Sequence, residues 1–141
     1  MAMDDLDQVI ALDNDYFGAE RSFFLQRRFT LFPELCKVSI LGKRIIGYIM
    51  GRAGETWVSA GPWVMEYDHC NPVELLETIA IEAGDRPISM GILESNHQAC
   101  DSVLSLGFSV GEDSPWRMAK GDSSDLGGSS QCYAVGSAAK G

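Results

Sequence analysis

Residues 93–108, LESNHQACDSVLSLGF, leave little freedom in how they fold. They read as the end of a strand, a short capped helix and a Gly-Phe stop. Ser95 followed by Gln98 has the capping-box spacing, in which two side chains satisfy N–H groups at a helix start. Ala99, Val103 and Leu106 give the helix one apolar face, and Gly107 stands where a helix end wants left-handed backbone. A strand, a helix and a further strand in this order belong in an α+β domain with helices packed on a sheet.

The remaining elements follow from periodicity. Asp4 or Asp5 caps a first helix that carries Leu6, Val9 and Ile10 on one face, and Gly18 breaks it. Residues 19–32 are expected as a second helix with Leu25, Phe29 and Phe32 at i, i+4 and i+7. Phe24 and Leu31 broaden that stripe toward burial on more than one side, and Phe23 reads as core with the other phenylalanines. Pro33 ends the helix by forcing the preceding residue out of the α region. Residues 36–40 alternate with period two, Leu41-Gly42-Lys43 turns, and residues 44–52 return. A turn at Ala53-Gly54-Glu55 then leads to a strand over 56–63, completing an antiparallel meander. Gly61-Pro62 predicts a bulge or splayed edge there, because proline donates nothing to a ladder. Asn71-Pro72-Val73-Glu74 opens another helix and Gly84 closes it. Residues 88–93 read as a short strand, and 108–110 with 116–120 as a closing pair. Trp57, Trp63 and Trp116 are core or interface residues before they are ligand-cleft aromatics. The expectation is a mixed, mostly antiparallel sheet flanked by about four helices in one domain over 1–120. Residues 121–141 are a Gly/Ser-rich connection and a tail packing on that domain.

Charge and composition exclude several functions. The net charge of −9, with eleven basic residues scattered along the chain, provides no cationic stripe for nucleic acid. No apolar run reaches the roughly 18 residues that span a bilayer, and MAMDDLDQ lacks the basic and apolar regions of a signal peptide. The expected location is the cytoplasm. Met3 directly after Met1-Ala2 suggests a cloned start, so the expectation is one half of a longer polypeptide. Cys36, Cys70, Cys100 and Cys132 form no CxxC pair and lie near no histidine at ligand spacing, so no metal is expected. They read as reduced thiols, with a disulfide pair as the minority reading.

In its order of elements the chain resembles the GNAT N-acetyltransferase superfamily, with the first strand of that fold absent. Asn96, Ala99, Leu106, Gly107 and Phe108 carry an N-x-x-A…L-G-F pattern of the family. Residues 12–21, LDNDYFGAER, with Gly47-Tyr48, Arg52, Gly61-Pro62 and Arg117-Met118, resemble the C-terminal domain of two-domain GNAT proteins, whose first domain carries the CoA loop. The resemblance implies acyl transfer from acetyl-CoA or another acyl-CoA to an amine of a small molecule or peptide. It implies a pantetheine arm along Ala60, Gly61, Trp63 and Asn96, and an acceptor meeting Asp15, Glu20 and Arg21. Glu66 and His97 are the candidate catalytic proton carriers, with Tyr67, Asp68 and His69 nearby. The competing reading makes these solvated loop and helix-start groups, and makes Asp13, Asp15, Glu20 and Arg21 helix caps and surface ion pairs.

Two departures bear on chemistry. The family's glycine-rich pyrophosphate loop places closely spaced N–H groups at a helix start; here EYDHCNP has no glycine and carries Glu66 and Asp68. The tyrosine that many members place seven residues after the motif asparagine falls on Val103, which can donate no proton. A non-catalytic accessory, substrate-binding or dimerisation domain is therefore the alternative. Its partner is a second GNAT domain or a second copy of the chain at the edge left by the missing strand. A GNAT scaffold turned to another reaction is a third.

Overall fold

The computed structural model describes residues 1–66, 71–111 and 129–136. A 3-10 turn at Met3–Asp5 runs into α1 (Leu6–Phe17), which Gly18 closes at φ 76°. Next come α2 (Ser22–Leu31), a 3-10 turn at Pro33–Leu35, and the meander β1 (Cys36–Leu41), β2 (Arg44–Ala53) and β3 (Val58–Met65). The chain continues through α3 (Pro72–Ala83), β4 (Ile88–Ser89), α4 (His97–Ser105) and β5 (Cys132–Ala134).

The sheet runs β1-β2-β3-β4, with β5 also on β3. β1, β2 and β3 pair antiparallel, whereas β3 and β4 run parallel only through Val58–Ile88 and Ser59–Ser89. Residues 45–51 of β2 are all buried because helices cover both faces of the sheet. On one face Leu6, Val9 and Leu12 of α1 and Leu25 and Phe29 of α2 pack on Tyr48, Met50 and Val64. On the other, Leu75, Leu76 and Ile79 of α3 and Ala99 and Val103 of α4 pack on Ile49, Trp63 and Met65. The alternation of Tyr48, Ile49 and Met50 between the two layers is the period of a strand made visible.

Several expected boundaries shift, each for a local reason. α2 begins at Ser22 rather than Ala19 because Arg21 turns inward to Asp13. Its outer face is solvent: Phe23 is 73 % and Leu31 55 % exposed, so neither joins the core as expected. The cap of α4 is Asn96, not Ser95; its Oδ1 accepts the Ala99 N–H at 3.1 Å while its amide donates elsewhere, a double role that a serine hydroxyl cannot fill. Regular strand structure in the 88–93 segment is confined to Ile88–Ser89, and 108–110 is not a strand. The expected strand at 116–120, with Trp116, lies outside the described residues. Within the expected tail, Cys132–Ala134 is a strand of the sheet. The caps on α3 stand as read, with Asn71 Oδ1 accepting the Val73 N–H at 3.2 Å and Gly84 closing.

One buried ionic cluster ties α1 to α2 and β2. Asp13 has no exposure, and Arg21 grips it with Nε to Oδ2 at 2.7 Å and Nη2 to Oδ1 at 2.6 Å. The Tyr48 hydroxyl donates to the same Oδ1, and the guanidinium lies 3.4 Å over the Phe17 ring. Burial, the largest single influence, pulls the Arg21 pKa down, but hydrogen bonding to Asp13 together with the charges and hydrogen bonding of Tyr48 and Asp13 outweighs it, and the net shift is upward. Tyr48 is pushed well above its ordinary value by burial, then by Asp13. Asp13 and Arg21 are thus not the surface pair of the competing sequence reading. Asp13→Ala leaves a buried, uncompensated guanidinium, and chemical denaturation should show a loss of about 3–5 kcal/mol.

Cys36, Cys100 and Cys132 are free thiols. Burial pushes the Cys36 thiol up to about 12 from an ordinary value of 9.0. Between those values the folded thiol keeps a proton that the unfolded one has lost, so stability falls as pH rises. Cys36 contributes up to about 1.4 kcal/mol per pH unit to that fall. Denaturant melts across the alkaline window should show the decline, and Cys36→Ala should make it shallower.

Candidate functional site

The site grows out of the point where β3 and β4 part. Two steps along β2, from Ile49 to Gly51, face three along β3, from Trp63 to Ala60, so Gly61-Pro62 forms the bulge anticipated from the proline. Beyond Ser59 the two parallel strands separate, and backbone groups facing the gap need partners.

Those partners come from the same chain. β5 enters the gap antiparallel to β3, pairing Trp63 with Ala134 and Val64 with Cys132, and the Met65 N–H donates to the Gln131 carbonyl at 3.0 Å. On the β4 side, the Val135 N–H donates to the Gly91 carbonyl at 2.9 Å. Two glycines admit Val135. A Cβ on Gly61, at φ +138°, would collide with its carbonyl oxygen, and one on Gly91 would meet its Cγ2 at 2.9 Å. The Tyr133 ring lies 4.8 Å from that of Trp63, and Asn96 Nδ2 donates to the carbonyls of Ser130 at 3.0 Å and Cys132 at 2.9 Å.

Three residues expected along a pantetheine arm therefore engage this segment: Gly61, Trp63 and Asn96. Ala60, the fourth, is buried in the α3/α4 layer with Ala134. The candidate catalytic pair is not brought together. Glu66 holds Arg44 by both oxygens, each at 2.8 Å, and burial and then Glu66 raise the pKa of the nearby Tyr16. His97 is exposed at the first turn of α4, in the opposite layer from α1, and no described hydrogen bond or ion pair joins it to Glu66. Of the expected acceptor contacts, Asp15 and Glu20 are exposed and Arg21 is buried on Asp13. Glu20 accepts the Ser22 N–H at 2.9 Å, and hydrogen bonding from Ser22 lowers its pKa. Tyr67, Asp68 and His69 lie outside the described residues.

Sequence reasoning missed two features. The alternation in Cys132-Tyr133-Ala134-Val135 was a strand signal hidden behind a glycine- and serine-rich segment. Arg28 sits at i+3 in the stripe of Leu25, Phe29 and Phe32, a charge on the face that turns inward. It is buried, and with Arg52, Ser59 and Phe24 it lines a cavity of about 220 Å³ on the α2 side of the sheet, beside the parting of β3 and β4.

The wedge predicts a sensitive position. Gly61→Ala should cost about 1–3 kcal/mol through its strained φ and should loosen β5, read as a lower melting temperature and faster amide exchange at Val135.

A family sequence model described as an acetyltransferase (GNAT) domain matches residues 9–134. No curated protein matches the chain.

Proposed function

The chain belongs to the acetyltransferase (GNAT) family, and from that premise we propose that it serves N-acyl transfer to an amine of a small molecule or peptide as an acceptor-side domain that does not itself hold the acyl-CoA donor. The observation that carries this reading is β5. In the family a pantetheine arm lies between the parting strands; here the edge of β3 past the bulge pairs with Ala134 and Cys132, and Asn96 holds Ser130 and Cys132. Residues so engaged do not fit an acetyl-CoA donor, and no transfer step is derived through it. The glycine-free EYDHCNP segment and Val103 in place of an acid support the same reading.

On this reading the donor is held by a second GNAT domain or a second copy of the chain. The sheet favours such a partner, because β1 is the terminal strand, with Ile40 and Leu41 exposed along it. No described helix is long and apolar enough to cross a membrane; with the composition, this supports a cytoplasmic place of work. A second reading, a transferase that binds acyl-CoA when β5 leaves the wedge, is favoured by the Gly61-Pro62 bulge, which stands where the family polarises its thioester.

Calorimetric titration with acetyl-CoA at low salt separates the two. The acceptor-side reading expects no binding at millimolar donor. Micromolar binding, worth about 8 kcal/mol, would overturn it. Donor affinity that rises in Asn96→Ala, where the Ser130 and Cys132 carbonyls lose their hydrogen bonds from Asn96, would establish the second reading.

A further inference from the structure

Two arginines are buried at the α2 layer, and among the described residues only Arg21 has a counter-charge. Arg21 is matched by Asp13. Arg28, 7 % exposed, forms no ion pair among the described residues. Its Nη2 donates to the Gly136 carbonyl at a long 3.4 Å, and its buried Nη1 has no described hydrogen-bond partner. The charge acting on it most is of the same sign: burial lowers its pKa, and Arg52 lowers it further. A guanidinium withdrawn from water without a carboxylate is costly to hold. In a chain of net charge −9 acidic residues are in surplus, yet none of the described ones forms an ion pair with Arg28.

The surroundings are those of a binding site. Arg28 and Arg52 line the same cavity of about 220 Å³, together with Arg27 and Ser59. Each of the two inner guanidiniums is steadied by an aromatic ring, Arg28 5.0 Å over Phe24 and Arg52 5.2 Å over Trp57. Phe24, Leu31 and Phe32 add an apolar wall, and Gly136 completes the lining. The volume suits a molecule of few heavy atoms, below the usual range for drug-sized ligands.

We propose that this cavity binds a small organic carboxylate, its head between Arg28 and Arg52 and its short apolar body against Phe24 and Phe32. The planar fork of arginine matches a carboxylate bidentately, and the Ser59 hydroxyl adds a neutral donor. Inorganic phosphate would satisfy the charges and leave the aromatic wall unused. The assignment stands apart from the transfer reading, because the cavity takes or refuses a carboxylate whether or not acyl-CoA binds.

The test is a titration of the full chain with hexanoate and benzoate, and separately with inorganic phosphate, followed by amide chemical shifts. Saturable binding of the two organic acids is expected, with shifts centred on Phe24, Arg28 and Ser59. Arg52→Gln, at an exposed position, should fold as the parent does and weaken binding at least about tenfold. Arg28→Met should abolish binding and melt at or above the parent temperature, since it removes an uncompensated buried charge. No saturable binding at millimolar acid, binding indifferent to both substitutions, or binding of phosphate alone would each overturn the proposal.

Discussion

The parallel contact of β3 with β4 lasts two residue pairs, and the rest of the molecule is arranged around its failure to continue. Two strands that separate inside a domain expose backbone donors and acceptors that water reaches poorly, and such groups must find other partners. Residues 131–135 provide them on both sides, to Met65 and Trp63 of β3 and to Gly91 after β4. The insertion also completes the apolar layer, because it brings Tyr133 onto Trp63 and Ala134 against the α3/α4 side. Gly61, Gly91 and Asn96 make sense only once that segment is in place.

The bulge, the short parallel pairing and the asparagine at the start of α4 are present, while the edge they would offer to a ligand is satisfied internally. With that edge of β3 paired, the α1/α2 layer is the other place to look for recognition. There the contrast between Arg21 and Arg28 is informative. Both leave water and each lies over an aromatic ring, but Asp13 and Tyr48 partner the first, whereas among the described residues a like charge and one carbonyl face the second. Buried charge with complete partners fixes structure; buried charge without them, lining a cavity, points to a ligand.

Local signals in the chain were reliable where a single segment decides the outcome. The Asn71-Pro72 start and Gly84 stop of α3, the hairpin through Gly42, and the bulge at Gly61-Pro62 depend on capping, turn chemistry and the missing donor of proline, all written within a few residues. The α+β class and the family pattern around Asn96 were legible for the same reason. The site was legible only in part: Asn96, Gly61 and Trp63 were singled out for a cofactor, while their contacts with residues 130–135 were not anticipated. Phe23 and Leu31 misled because periodicity marks the apolar residues of a helix without saying how wide a face its neighbours cover.

The sequence by itself determined the elements, their order and the glycines and caps that bound them, since these follow from short-range sterics and hydrogen bonding. Tertiary structure alone decided which backbone edge Cys132–Ala134 would join, that Asp13 and Arg21 would meet inside rather than on the surface, and that Arg28 would be buried beside Arg52. The first and the last join distant segments, 108 positions apart for Arg28 and Gly136, while Asp13 and Arg21, only eight apart, are buried by what packs over them. Burial and charge pairing are properties of that assembled neighbourhood, and no window along the chain contains them.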